Sequence, residues 1–98
     1  MPKGYWIAHV TITDPDTYAG YQQHAPAAFA KYRARFLTRG GDATTLEGDH
    51  WQRHVIIEFD SKLQALACYN SAEYQSARAH RASACSASIV IVEGLQNT

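Results

Sequence analysis

The sequence predicts an α+β fold, a four-stranded antiparallel sheet with helices on one face. Three observations carry that expectation. Four short runs rich in β-branched and aromatic residues are interleaved with stretches of helical periodicity, in the order β-α-β-β-α-β. Each helical stretch opens on a capping residue. The strands are apolar on both faces, which a sheet solvated on one side would not be.

"YWIAHVTIT" (5–13) reads as the first strand. Asp14-Pro15-Asp16 then marks a helix start, with Asp14 as the cap and Pro15 at the first helical position. From Asp16 to about Ala34, the residues Tyr18, Tyr21, Ala25, Ala28, Phe29 and Tyr32 recur at three- and four-residue spacing and make one helix face. Pro26 should kink that helix or split it. "ARFLTR" (34–39) is the second strand, with "DATTLEG" (42–48) as a candidate continuation. Gly48-Asp49 supports a hairpin turn into "RHVIIEF" (53–59), the third strand. Ser61 with Gln64 matches a capping box ahead of a helix from about Lys62 to Tyr69. Ser71 starts a further helical stretch to roughly Ala84, and "SIVIVEG" (88–94) is the last strand. This order is the ferredoxin-like arrangement, in which both crossovers share one hand and place their helices on the same side of the sheet.

The chain has 98 residues, nine basic and nine acidic, which fits one domain with no net charge. No basic stripe points to nucleic acid. "MPKGYWIAHV" lacks the apolar core of a signal peptide, and the longest aliphatic run, Ile89 to Val92, is too short to span a membrane. Cys68 and Cys85 are widely separated, so a reduced, cytoplasmic protein is expected.

In strand one Trp6, Ala8, Val10 and Ile12 oppose Tyr5, Ile7 and His9; in strand three Val55, Ile57 and Phe59 oppose His54, Ile56 and Glu58. Helices cover one face only. A second copy packed sheet to sheet would cover the other, with an ordinary burial of ~1,600 Å². The predicted partner is therefore the chain itself, in a homodimer.

Several segments taken together resemble the family of domain of unknown function 1330: "GYWIAHV", "DPDTYAGY", "FAKY", "RFLTRGG", "TLEG", "VIIEFDS", "ACYNSAEYQSA" and "IVEG". The resemblance spans nearly the whole chain. It implies a dimeric α+β barrel, two ferredoxin-like sheets closed against each other. That superfamily holds cofactor-independent monooxygenases, haem-degrading enzymes, lactone isomerases and polyketide cyclases, so kinship in fold gives a prior and no more. The family usually has glycine after its "KY", where this chain has Arg33. Haem-degrading relatives use an asparagine on the first strand; the only asparagines here are Asn70 and Asn97.

Five polar side chains are candidates for a cleft between sheet and helix. His9 reads either as a general base or as a hydrogen-bonded core or interface histidine. Arg39 reads as a planar fork for a carboxylate or enolate, or as an ion-pair partner of Glu58 or Glu47. Glu58, flanked by Ile57 and Phe59, must be paired or protonated if buried. Tyr21 and Tyr32 supply apolar walls with a polar tip. Arg81 is a candidate for a carboxylate across the dimer.

His50 and His54 have no further ligand nearby in sequence, so no metal is assigned. No phosphate-cradling motif is present, and no cofactor is called for. In "RFLTRGG" no helix follows Gly41 directly, so Gly40 and Gly41 read as a bulge or bend of a long strand. Two functions stay open. One is a cofactor-independent protein binding or transforming a small carboxylated or aromatic metabolite, with Arg39, Tyr21 and Tyr32 holding it and His9 or Glu58 moving a proton. The other is a non-enzymatic homodimeric ligand-binding or accessory module.

Overall fold

The computed structural model describes residues 2–96. Its elements are β1 (Gly4–Ile12), α1 (Pro15–Lys31), β2 (Arg35–Arg39), β3 (Arg53–Phe59), α2 (Lys62–Tyr69), α3 (Ala72–Ala79) and β4 (Cys85–Glu93). The sheet runs β2-β3-β1-β4 with every neighbouring pair antiparallel. The ferredoxin-like order is thus present, with its second helical crossover divided into two helices.

The alternation along β1 decides which side is covered. Gly4, Trp6, Ala8 and Val10 are buried, and the residues between them are half-buried. Trp6 pairs in register with Ile57 on one side and Ile91 on the other. It is the hub of the core, with Phe29, Phe59, Tyr69 and Tyr74 rings at 5.0–6.1 Å. Such edge, tilted and stacked contacts add to the area each ring removes from water. At the other end of β1, Gly4 lies directly beneath the start of α2; a Cβ there would stand 2.6 Å from the Lys62 backbone, so only glycine fits.

The caps are built as the sequence indicates. The Asp14 carboxylate accepts from the Thr17 amide, Ser61 from Gln64 and Ser71 from Tyr74. The Ser61 box is only half formed, because the Gln64 side chain donates to the Tyr32 carbonyl and not back to its own cap. Four expectations need correction. First, Pro26 does not split α1, which is continuous through it. Pro26 is exposed, so the carbonyl that its missing N–H would have served can turn to water. Second, α3 stops at Ala79 and turns through 80–84, where the Ala84 carbonyl accepts from Thr13 and Asp14 at the entrance to α1. Third, β2 ends at Arg39 and residues 42–48 form no strand. Fourth, the glycines make the expected bend, at Gly40, but not a bulge, since the register shift of β2 falls between Phe36 and Thr38 ahead of them.

The end of α1 is a complete Schellman turn: Ala34 N–H bonds the Phe29 carbonyl and Arg33 N–H the Ala30 carbonyl. The left-handed position of that turn, which favours glycine, is held by Arg33 at φ 61°.

The molecule measures 40 × 36 × 17 Å. Seventeen ångströms is the depth of one sheet plus one helical layer, so among the described residues no second layer packs on the other face, and only the 43–51 loop borders it, beside His9 and His54. Across that face Val90, Ile7 and Ile56 form an aliphatic row in register. Val90 and Val92 are 54% and 45% exposed. No helix among the described residues is long and apolar enough to cross a membrane.

Candidate ligand-binding site

Between α1 and the helix-facing side of the sheet lies a cavity of about 90 Å³. Trp6, Ala8 and Val10 of β1 and Val55 and Ile57 of β3 form its floor. Tyr18, Tyr21, Ala25 and Phe29 of α1 form its roof. The polar side chains in the wall are Tyr18, Tyr21, Gln22, Arg39, Arg53 and Arg81. No aspartate, glutamate, histidine or cysteine lines it.

Each arginine arrives by a different route. Arg39, the last residue of β2, lays its guanidinium over the Phe36 ring at 4.2 Å. Arg53 opens β3, on the same face as Val55 and Ile57, and its guanidinium rests against Gly40. Gly40 sits at φ 74°, and a Cβ there would meet the Arg53 Cζ at 2.8 Å. The RGG stretch therefore turns the chain sharply and clears room for a second guanidinium; the Gly40 amide donates to the His54 carbonyl. Arg81, in the turn between α3 and β4, is only 8% exposed. Its Nη2 donates to the Tyr74 hydroxyl at 3.1 Å, Tyr74 and Tyr21 share a hydrogen bond of 3.0 Å, and the Arg81 guanidinium lies 5.3 Å from the Tyr21 ring.

Every ion pair among the described residues is made by Lys31, Arg33 or Arg35, so Arg39, Arg53 and Arg81 have no carboxylate. For the exposed Arg39 this costs little. For Arg81 it is a buried charge without a counter-charge, which costs several kcal/mol. Burial works against the Arg81 charge and the Tyr74 hydrogen bond favours it; the net direction is upward, so the guanidinium stays charged. Burial also pushes the Tyr21 phenol far above its ordinary value.

The fold separates the five predicted residues. Arg39 and Tyr21 meet at the cavity. His9 and Glu58 lie on the opposite face of the sheet, because each is one residue out of phase with the buried positions of its strand. The expected gathering of Arg39, His9 and Glu58 in one cleft is therefore not formed. His9 Nδ1 and His54 Nδ1 are 2.8 Å apart, beside a wider, shallow hollow bounded by residues 43–47, Asp49 and Trp51. Glu58 accepts from Arg35 at 2.9 Å and from Tyr5 at 3.1 Å, which holds its carboxyl below the ordinary carboxylate range, with Arg35 as the larger cause. The ion pair considered for Arg39 is thus made by Arg35. Tyr32 caps α1 and does not line the cavity. Arg81, expected to reach across a dimer, turns into its own protomer's cavity. Cys68 is fully buried and its thiol is pushed up to about 12 by burial, then by Glu73. Among the described residues no group of three or more His, Cys, Asp or Glu is placed to hold a metal ion.

Residues 3–95 match the family described as domain of unknown function 1330 (DUF1330). No curated protein matches the chain. Several solved structures share its fold. The RPA0582 protein of unknown function from Rhodopseudomonas palustris is 17% identical, over 97% of this chain and 84% of that one, with a TM-score of 0.79. A dimeric protein of unknown function and ferredoxin-like fold from Bacteroides fragilis is 16% identical, over 93% and 95%, with a TM-score of 0.62. SnoaB, a cofactor-independent oxygenase from Streptomyces nogalater, is 10% identical, over 99% and 97%, with a TM-score of 0.61. At such identities the likeness is one of fold.

Proposed function

The chain belongs to the DUF1330 family, and from that premise we propose that it binds a small carboxylate with an apolar body in the helix–sheet cavity of each protomer of a homodimer. One observation carries the reading: the Arg81 guanidinium, 8% exposed, faces a cavity whose wall contains no carboxylate. A bound anion would supply the missing counter-charge, and Arg39 and Arg53 add to the attraction. The aromatic and aliphatic floor suits an apolar body. A cavity of about 90 Å³ is smaller than the roughly 150 Å³ cavity that accommodates benzene, so a single ring is the upper limit for that body and would reach toward the cavity mouth.

Binding is favoured over proton-transfer chemistry. A general base must be unprotonated near neutrality and within reach of the ligand. The wall offers only guanidinium groups, an amide and tyrosines, and both Tyr18 and Tyr21 are raised by burial. The homodimer rests on the bare aliphatic row of the second face and on the dimeric state named for the B. fragilis neighbour.

Thermal-shift titration with phenylacetate and its neutral amide tests the ligand class. Phenylacetate should raise the midpoint, by ~2.7 kcal/mol of stability at a hundred times its Kd, and phenylacetamide should not. Arg81→Gln should remove the effect. Equal shifts from acid and amide, or a phenylacetate shift that survives Arg81→Gln, would refute the reading.

A further inference from the structure

The hydroxyls of Tyr74 and Tyr21 are 3.0 Å apart, and only one of the two can donate in that bond. The surroundings decide which. Tyr74 is fully buried, its oxygen accepts from Arg81, and among the described residues its only acceptor is Tyr21. If Tyr21 donated to Tyr74, the Tyr74 proton would be a buried donor without a partner, at a cost of about 1–3 kcal/mol. If Tyr74 donates to Tyr21, the Tyr74 hydroxyl is satisfied both as acceptor and as donor. The proton left over is then that of Tyr21, a cavity-lining residue that is only half-buried. The bonds therefore run Arg81 to Tyr74 to Tyr21, and the charge at the head of the chain polarises each O–H in turn.

From this polarity, and resting on the carboxylate reading above, we infer that Tyr21 is a fixed hydrogen-bond donor into the cavity, that Tyr74 is the positioning residue that fixes it, and that the preferred ligand is a carboxylate with a second, proton-free acceptor next to the carboxylate, as in a 2-oxo acid. Arg81 and Tyr21 are neighbours in the cavity wall, the guanidinium 5.3 Å from the Tyr21 ring. Two hydrogen bonds, of 3.1 and 3.0 Å, join Arg81 to the Tyr21 oxygen. A carboxylate seated on the guanidinium would bring an oxygen on the adjoining carbon within reach of the phenol. Arg39, Arg53 and Arg81 present only donors to the cavity and Tyr21 presents its free O–H, while the side-chain acceptors in the wall are Gln22 and the Tyr18 hydroxyl, so donors outnumber acceptors and oxygen acceptors are favoured as a class.

Phenylglyoxylate and phenylacetate differ only by an oxygen in place of two hydrogens beside the carboxylate, which makes them a direct pair of probes. Calorimetric titration of the wild-type protein should give a Kd for phenylglyoxylate about tenfold below that for phenylacetate, as one added hydrogen bond provides. In Tyr21→Phe the ratio should collapse to about one while phenylacetate still binds. Tyr74→Phe should narrow the same ratio, because Tyr21 then loses the donor that sets its direction. A purely structural role for either tyrosine would weaken both probes alike and leave the ratio intact, and that result overturns the inference. Equal wild-type affinities overturn it too, with the carboxylate reading still standing. Binding of neither probe overturns both. Tyr21→Phe keeps the test decisive if Tyr74→Phe, which takes the acceptor from Arg81, does not fold.

Discussion

The guanidinium of Arg53 lies against the Cα of Gly40, in space that any other residue at position 40 would occupy with its Cβ. Backbone conformation and the candidate site are therefore coupled at one point. Gly40→Ala should carry two penalties: about 1 kcal/mol or more of left-handed strain at φ 74°, and displacement of Arg53 from the cavity wall. Chemical denaturation should show the first and a weaker phenylacetate Kd the second. An alanine variant with wild-type stability and affinity would mean that the close approach is not needed.

Arg33 is the opposite case, a side chain at a position where glycine would be at ease. It holds φ 61° in the Schellman turn that ends α1, and its only ion pair, with Asp60 at 3.8 Å, is exposed. Exposed pairs contribute little. Arg33→Gly should raise stability by about 1 kcal/mol, read as a higher denaturant midpoint at unchanged slope. A loss of stability would show that the Asp60 contact outweighs the strain.

Acid should destabilise the protein in a definite direction. Glu58 is held below its ordinary range, chiefly by its hydrogen bond from Arg35 and then by Tyr5; Glu73 is lowered by Lys31 and Asp14 by Thr17. A carboxyl lowered in the folded state contributes stability that is fully present above the unfolded value, about 4, and is lost as pH falls through the folded value. The thermal midpoint should be nearly flat from pH 7 to about 5 as far as these groups are concerned, and fall below about pH 4. Glu58→Gln should have a lower midpoint at pH 7 and a shallower fall in acid. A fall just as steep in that variant would remove Glu58 from the account.

The row Val90, Ile7, Ile56 crosses the uncovered face of the sheet in register. A charge in its centre would have to be buried if a second copy packs there. Ile7→Lys should therefore sediment as a folded monomer at micromolar concentration where the wild type sediments as a dimer. A wild-type monomer, or a dimer indifferent to Ile7→Lys, would place the contact elsewhere or remove it.

Much of the fold was legible because the chemistry was local. β3 falls on residues 53–59 as expected, and the caps at Asp14, Ser61 and Ser71 are made by the residues predicted for them. The end of α3 was not legible, because "SARAHRASA" continues in good helix formers and nothing local announces that Arg81 turns inward. The site was half legible. Strand parity already groups His9 with Tyr5 and Ile7, away from Trp6, and Glu58 with Ile56, away from Ile57. The same parity places Arg53 with Val55 and Ile57, so its presence at the cavity could have been read from the alternation alone. Arg81 could not, since its position depends on how the turn after α3 docks against β1 and α1.

The 17 Å depth of the slab has a kinetic side. In a body one helix and one sheet thick no enclosed space is far from bulk water. Arg39, exposed, over the Phe36 ring and part of the cavity wall, stands at its rim. Rotamer changes of exposed side chains take picoseconds to nanoseconds. For the proposed ligand, entry and exit would then need only the swing of one side chain, and residence time would be set by how strongly the buried guanidinium holds the anion rather than by the opening of a lid.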